Sequence, residues 1–331
     1  MRNFTRLLIA GVLAFSAQAV LAKVTFNLST PDPDNSEITL AAQKYAELVK
    51  NKTNGEVEIK VFPNGQLYSG DPSAAVRQLS GGSLDMLLLS TSLYANFNSK
   101  FTAISVPYLF DNTEQLRGYL SGPLGKELLG DLDKIGIKGL MMWQRPFRQM
   151  TNSRKPISSP SDMVGMKFRV PNNPLWMEFF AKMGAVPTPM AFGEVYNALQ
   201  LKVVDGQENP INIPVAAKFY EVQKYASMTN HMADGWVLGI NPAKFAKLSD
   251  QHKKALQDAS AEAEAWKFAN DTADANKSID FLKSKGMEVN ALTPEQQKAF
   301  VAVSKQLYPK FLELVKDTAF FDKTLSAVGK K

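Results

Sequence analysis

The chain has 331 residues, 45% of them apolar, enough for two cores in lobes of roughly 150 residues each. It has no cysteine and two histidines, which excludes disulfides and thiolate metal sites and leaves little for a transition-metal centre. Its formal charge of +6 is spread along the chain without a Lys/Arg cluster interleaved with aromatics, so nucleic acid is not an expected partner and small anions suit the excess better.

Residues 1–22 read as a cleaved secretory signal. Arg2 and Arg6 make a basic start, Leu7 to Phe15 a short apolar run, and Val20-Leu21-Ala22 a cleavage site. The run falls well short of the ~20 residues of a membrane span. Removing the signal takes the formal charge from +6 to +4, since it holds two arginines and no acid. The exported chain is expected in the periplasm.

From there strand and helix alternate. Residues 23–29 form a first strand. A loop with Asp32 and Asp34 follows, both expected to be solvated, and Ser36 caps a helix whose apolar residues Ile38, Ala41, Ala42, Tyr45, Leu48 and Val49 recur at helical spacing up to Asn54-Gly55. Val57, Ile59 and Val61 mark a second strand. Asp71-Pro72 provides the cap and first position of a helix ending at Gly81-Gly82, and residues 84–90 a strand covered on both faces. This is a doubly wound α/β lobe. The loops after its strands are expected to line one crevice, where the hydroxyls of Ser90, Thr91 and Ser92 either meet a ligand or satisfy the loop itself. Asp71 stands beside that crevice. Residues 113–135 read as helical and 137–143 as another strand.

The stretch 145–210 carries the distinctive chemistry: FRQMTNSRKPI, DMVGMKFRVPN, PTPMAFGEVYNALQ and VVDGQENP. Arg169 ends a short strand against Pro171, which aims it into the crevice at the sheet edge, where open α/β sheets bind ligands. Guanidinium is the side chain best suited to hold a carboxylate by two parallel hydrogen bonds; an ordinary surface salt bridge is the alternative. Helices are expected over 173–183 and 192–200, with a short strand over 186–188 between them. Residues 222–242 read as two strands crossing back to the first lobe. Residues 249–285 form one long helix or two abutting ones, stopped by Gly286, and the capping box Thr293-Pro294-Glu295-Gln296 opens a last helix through Val315. No nucleophile elbow, zinc-protease motif, P-loop or dinucleotide fingerprint occurs. His231 reads as structural.

In their order and spacing, the four motifs of 145–210 resemble those of the solute-binding proteins of TRAP (tripartite ATP-independent periplasmic) transporters, the DctP family, and the likeness covers the whole mature chain. The resemblance implies an α/β two-lobe periplasmic-binding-protein fold, each lobe a sheet flanked by helices, with a long helix spanning both. Lobe I is expected at 23–146 and 235–274, lobe II at 147–234 and 275–331. It implies that Arg169 bonds the substrate carboxylate, that Arg148 is the second arginine of the site and Asn209 its asparagine, and that Trp236 holds a cleft position. Phe192 would pack on the ligand's carbon skeleton and Asn172 would touch it. Arg145 departs from the family, which more often has an uncharged polar residue there. The implied protein is a monomeric receptor, not an enzyme, without cofactor or metal. It takes a small organic anion (a C4-dicarboxylate, sugar acid, 2-oxo acid or aromatic acid) and hands it to a TRAP membrane permease driven by an ion gradient. A secreted enzyme acting on a carboxylate and a receptor feeding a sensor kinase are the alternatives.

Overall fold

The computed structural model describes residues 23–331; the signal expected at 1–22 lies outside them. Among the described residues the strands are β1 (Val24–Ser29), β2 (Val57–Phe62), β3 (Met86–Ser90), β4 (Lys138–Gln144), β5 (Arg148–Asn152), β6 (Lys167–Val170), β7 (Val186–Pro189), β8 (Gly206–Pro210), β9 (Tyr225–Met228), β10 (Gly235–Ile240) and β11 (Glu288–Ala291). They form one sheet in the order β2-β1-β3-β10-β4 and a second in the order β11-β9-β5-β8-β6-β7. In the first, β1 runs parallel to β2 and β3, and β10 runs antiparallel between β3 and β4. In the second, β6 is parallel to β7 and β8, while β5 is antiparallel to β8 and β9.

Local signals set most of these elements. Ser36 caps helix Glu37–Lys52 by accepting the Thr39 N–H, and the helix buries Ile38, Ala41, Ala42, Tyr45 and Val49. Asp71 caps helix Pro72–Gly81 in the same way, accepting from Ser73. All five residues of β3 are buried, as a strand covered on both faces requires. The long helix Asp250–Ser284 begins at the Ser249 cap and stops before Gly286, whose φ of 86° suits glycine. At 35 residues it reaches about 50 Å. It packs on Glu37–Lys52 and β4 in the first lobe and on Ile213–Ala216 and β11 in the second.

Several elements differ from expectation. β5, β8 and β11 were not foreseen as strands. The last expected helix is split into Pro294–Gln306 and Tyr308–Val315. Pro309 explains the break, since it lacks the N–H that would continue the helix and its ring clashes with the preceding turn. A further helix, Thr318–Ala327, follows. These last helices touch both lobes. Tyr308–Val315 packs on helix Pro174–Lys182 and also on the turn Ser99–Ser105, while Tyr119 and Thr324 share a 2.9 Å hydrogen bond.

The chain passes between the sheets at two adjacent places, residues 145–147 and 229–234. The two segments run antiparallel and are tied by the Arg148 N–H to the Met232 carbonyl at 2.9 Å and the His231 N–H to the Arg148 carbonyl at 3.3 Å. The long helix is the third connection.

Candidate ligand-binding cleft

Strand direction brings the polar residues together. Asp32 and Ser90 stand past or at the carboxyl ends of β1 and β3, and Arg169 and Asn209 near the carboxyl ends of β6 and β8. The antiparallel strands bring theirs from their starts: Trp236 of β10 lies opposite Ser90, and Arg148 of β5 opposite Pro210. All face the space between the sheets, the usual ligand site of open α/β sheets.

That space has an outer and an inner part. The outer cavity, about 730 Å³, is bordered by Asn64, Tyr68 and Asp71 on the first lobe and by Arg169, Asn172 and Phe192 on the second. The inner recess, about 50 Å³, lies among Asp32, Ser92 and Trp236 on one side and Arg148, Arg169 and Asn209 on the other. Arg169 and Phe192 border both. The outer volume falls in the small-ligand range.

Two of the three arginines are neutralised inside the protein. Arg148 grips the carboxylate of Glu208 through Nε and Nη2, the latter at 2.8 Å, and Nη2 also reaches Asn209 Oδ1 at 2.9 Å. Burial would raise the Glu208 carboxyl, but Arg148 and a hydrogen bond from His231 hold it at about 2. Burial in turn pulls His231 below the ordinary imidazole value. With Glu208 ionised, neutral His231 must donate from Nε2 (3.3 Å) and accept at Nδ1 from Thr229 Oγ1 (2.8 Å). Arg145 pairs with Asp234 at 3.1 Å and reaches Asn209 Oδ1 at 3.2 Å, with its guanidinium carbon 4.2 Å from the centre of the Trp236 ring.

Arg169 is held differently. Its Nε and Nη2 both donate to the Met190 carbonyl, at 3.2 and 2.9 Å. It is 4% exposed, and among the described residues no carboxylate pairs with it, unlike Arg145 and Arg148. Burial lowers it to about 10, so it stays charged at neutral pH.

Asp32 corrects an expectation. Its turn sequence predicts a solvated residue, yet it is 3% exposed and borders the inner recess. Its carbonyl accepts from the Asn64 N–H at 2.9 Å and from Thr39 Oγ1 at 3.3 Å, which fixes the turn around it. Burial raises its carboxyl to about 6, with Arg145 opposing and Glu37 adding to the rise. Asp34 is exposed, as expected.

The remaining expected residues fall in several places. Ser90 Oγ donates to Asp234 at 2.6 Å and lies 2.6 Å from Ser92 Oγ; both serines border the inner recess. Thr91 borders neither cavity. It is fully buried and its Oγ1 accepts the Gly235 N–H at 3.0 Å, so it satisfies the start of β10 instead of facing the cleft. Asp71 is exposed at the outer rim. Asn172 lies on the outer cavity, and its carbonyl accepts from Asn96 of the other lobe at 3.0 Å. Its neighbour Asn173 donates across the cleft to the Ser92 carbonyl at 2.7 Å. Phe192 is half-buried, its ring centre 6.0 Å from the Arg169 guanidinium. Trp236 borders the inner recess and also belongs to the first sheet's core.

Sequence reasoning missed Glu208 and Asp234. One signal was available for Glu208: a carboxylate inside the short run Gly206–Pro210 needs a buried cation if that run is a strand, and Arg148 is the cation.

Residues 28–314 match the family described as bacterial extracellular solute-binding protein, family 7, DctP. A relative from Escherichia coli (strain K12), the 2,3-diketo-L-gulonate-binding periplasmic protein YiaO, is 35% identical over 324 residues, 97% of either chain. The sugar acid binding protein DctPAm from Advenella mimigardefordensis strain DPN7T, solved in complex with galactonate, superposes with a TM-score of 0.89 at 29% identity, over 94% of this chain and 99% of that one. A TRAP periplasmic solute binding protein from Sulfurospirillum deleyianum DSM 6946, solved with bound succinate, gives a TM-score of 0.86 at 28% identity, over 92% of this chain and 99% of that one.

Proposed function

The chain belongs to the bacterial extracellular solute-binding proteins of family 7, the DctP subunits of TRAP transporters, and from that premise we propose that it captures a small organic acid between its two sheets, bonds the acid's carboxylate with Arg169, and delivers it unaltered to a membrane permease. Arg169 carries this reading. It is a buried, charged guanidinium with one edge on the Met190 carbonyl and the Nη1 side free for a carboxylate, at the border of both cavities. The ligands of the three similar proteins, 2,3-diketo-L-gulonate, galactonate and succinate, share a carboxylate.

In this reading Phe192 covers the carbon skeleton, and Asn209, held by both Arg145 and Arg148, fixes the polar wall behind the ligand. Lobe I (23–146 and 235–274) and lobe II (147–234 and 275–331) close on it about the adjacent crossings. The protein is exported to the periplasm by the signal at 1–22. No helix among the described residues is long and apolar enough to cross a membrane. In this reading the permease carries the acid across, driven by an ion gradient.

The test is calorimetric titration with a panel of organic acids, followed by mass spectrometry of the recovered ligand. At least one acid is expected to bind with micromolar or tighter affinity and to return unchanged. Silence across the panel would overturn the reading. Steady product formation would replace it with an enzyme, and Asp32, whose carboxyl lies at about 6, is where a general base would then be sought.

A further inference from the structure

We propose that the ligand is a polyhydroxylated monocarboxylate, of the aldonic or keto-aldonic acid class, and that Asp32 and the indole N–H of Trp236 recognise its hydroxyl groups. The inference rests on the cleft being the organic-acid site proposed above.

The charges of the recess favour a single carboxylate. Arg145 is matched by Asp234 and Arg148 by Glu208. Arg169 and Asp32 are left, one cation and one carboxyl, both bordering the inner recess and not paired with each other. A single ligand carboxylate on Arg169 uses the remaining positive charge. A dicarboxylate would have to bring its second carboxylate towards a wall that holds Asp32, the carboxyl no arginine of the recess pairs with. Like charges in a buried site disfavour one another strongly.

The unpartnered polar atoms favour hydroxyl groups. Asp32 Oδ2 and Trp236 Nε1 are buried and, among the described residues, have no hydrogen-bond partner. One is an acceptor and the other a donor, and leaving either unsatisfied in a buried site is unfavourable. A hydroxyl group donates and accepts, so a chain of hydroxylated carbons can satisfy both. An acid with a bare hydrocarbon chain can satisfy neither. Phe192 and Pro171, also on the recess, offer the apolar contact that the C–H faces of such a chain need.

The cleft also has room for such a chain. The outer cavity of about 730 Å³ extends beyond the recess, so a chain anchored by its carboxylate at Arg169 can continue past four carbons.

Calorimetry near neutral pH with the aldonates D-galactonate, D-gluconate and L-gulonate, with succinate and with hexanoate tests this. The best aldonate is expected to bind the parent protein at least about tenfold tighter than succinate or hexanoate, because a site built for hydroxyls rejects acids that lack them. Asp32→Ala should lose most of that preference, and Asp32→Asn should move it towards succinate by removing the opposing charge. Succinate or hexanoate binding as tightly as the best aldonate in the parent overturns this inference and leaves the organic-acid reading standing. An unchanged preference in both Asp32 variants overturns the assignment to Asp32. Absence of binding by all five, together with a silent panel, removes the inference and the proposed function alike.

Discussion

Replacing Arg169 by alanine removes the one cationic group of the cleft that no carboxylate of the described residues matches. Two N–H donors of this guanidinium point at Met190, at 3.2 and 2.9 Å, which fixes its plane and leaves the Nη1–Nη2 edge for two parallel bonds to a carboxylate. Removing one partner of a buried, hydrogen-bonded charge pair costs about 3–5 kcal/mol. Ligand affinity should therefore fall by on the order of 10²–10³ or more. The unliganded protein should respond the other way. Arg169 is 4% exposed and burial already lowers it to about 10, so its loss removes an unmatched buried charge. Unliganded stability is expected within about 1 kcal/mol of the parent, or above it. Arg169→Lys keeps the charge but cannot hold Met190 and make a two-point contact together, so it should recover only part of the affinity. Calorimetry with the best-binding acid, with unliganded melting in parallel, measures all three proteins. If Arg169→Ala binds within about threefold of the parent, a difference under ~1 kcal/mol, the carboxylate is held elsewhere and the reasoning fails.

Arg148→Ala should act mainly on the fold. It leaves Glu208 buried without its guanidinium, a loss of about 3–5 kcal/mol in urea unfolding; an unfolding curve matching the parent's would show that the pair is not structural. Asp32 links stability to pH. Its carboxyl binds a proton more tightly in the folded protein (about 6) than at its ordinary 3.8, so the folded state gains as pH falls. Relative to Asp32→Asn, the parent should gain about 1–1.5 kcal/mol between about pH 7.5 and pH 5. Arg145, Arg148, Glu37, Asp234 and Tyr68 face this group, and the comparison with the variant cancels their own titration to first order. A constant gap between the two proteins would place Asp32 in solvent. At saturating ligand, Trp236→Phe should abolish most of the ligand-induced fluorescence change, with a loss of unliganded stability below that of truncation to alanine. The alanine variant is a poor test of binding, because Trp236 also fills the first sheet's core and truncation there costs about 3–5 kcal/mol. A fluorescence change that survives in Trp236→Phe would assign the signal to Trp143, Trp176 or Trp266.

The lobe built on β1, β2 and β3 was legible in the sequence because its helices carry capping residues and its strands carry apolar runs. β5 and β8 were not. Arg-Gln-Met-Thr-Asn and Gly-Gln-Glu-Asn-Pro read as loop by composition, yet every residue in both is buried. Their polar side chains are satisfied by one another and by residues distant in the chain, Arg145, Gln223, Asn230 and His231 among them, which no pattern along a single segment reveals. Local rules tend to fail at functional sites, and these strands hold Arg148, Glu208 and Asn209 of the candidate cleft. The resemblance points to Arg169 and Asn209, which both border the inner recess, but it says nothing of the carboxylates that occupy Arg145 and Arg148. Those partners, Asp234 and Glu208, lie 89 and 60 residues away in the chain. Asp32 was misread for a similar reason: Pro-Asp-Pro-Asp-Asn is turn chemistry, and only the packing of the two lobes decides which aspartate faces inward.

The adjacent crossings have a consequence for redesigning this receptor as a sensor. Arg145 lies on them and Arg148 adjoins them, so two of the residues that line the recess also stand where the lobes would turn. A substitution there changes two quantities at once, the contact and the fraction of molecules in the binding-competent arrangement, and the measured affinity scales with both. Substitutions at Asp32, Asn172 or Phe192, in segments away from the crossings, alter the contact with far less effect on that balance. Libraries for a new ligand are best confined to those segments. The crossing residues are better kept for a separate purpose, setting how often the receptor opens and therefore the concentration range over which it responds.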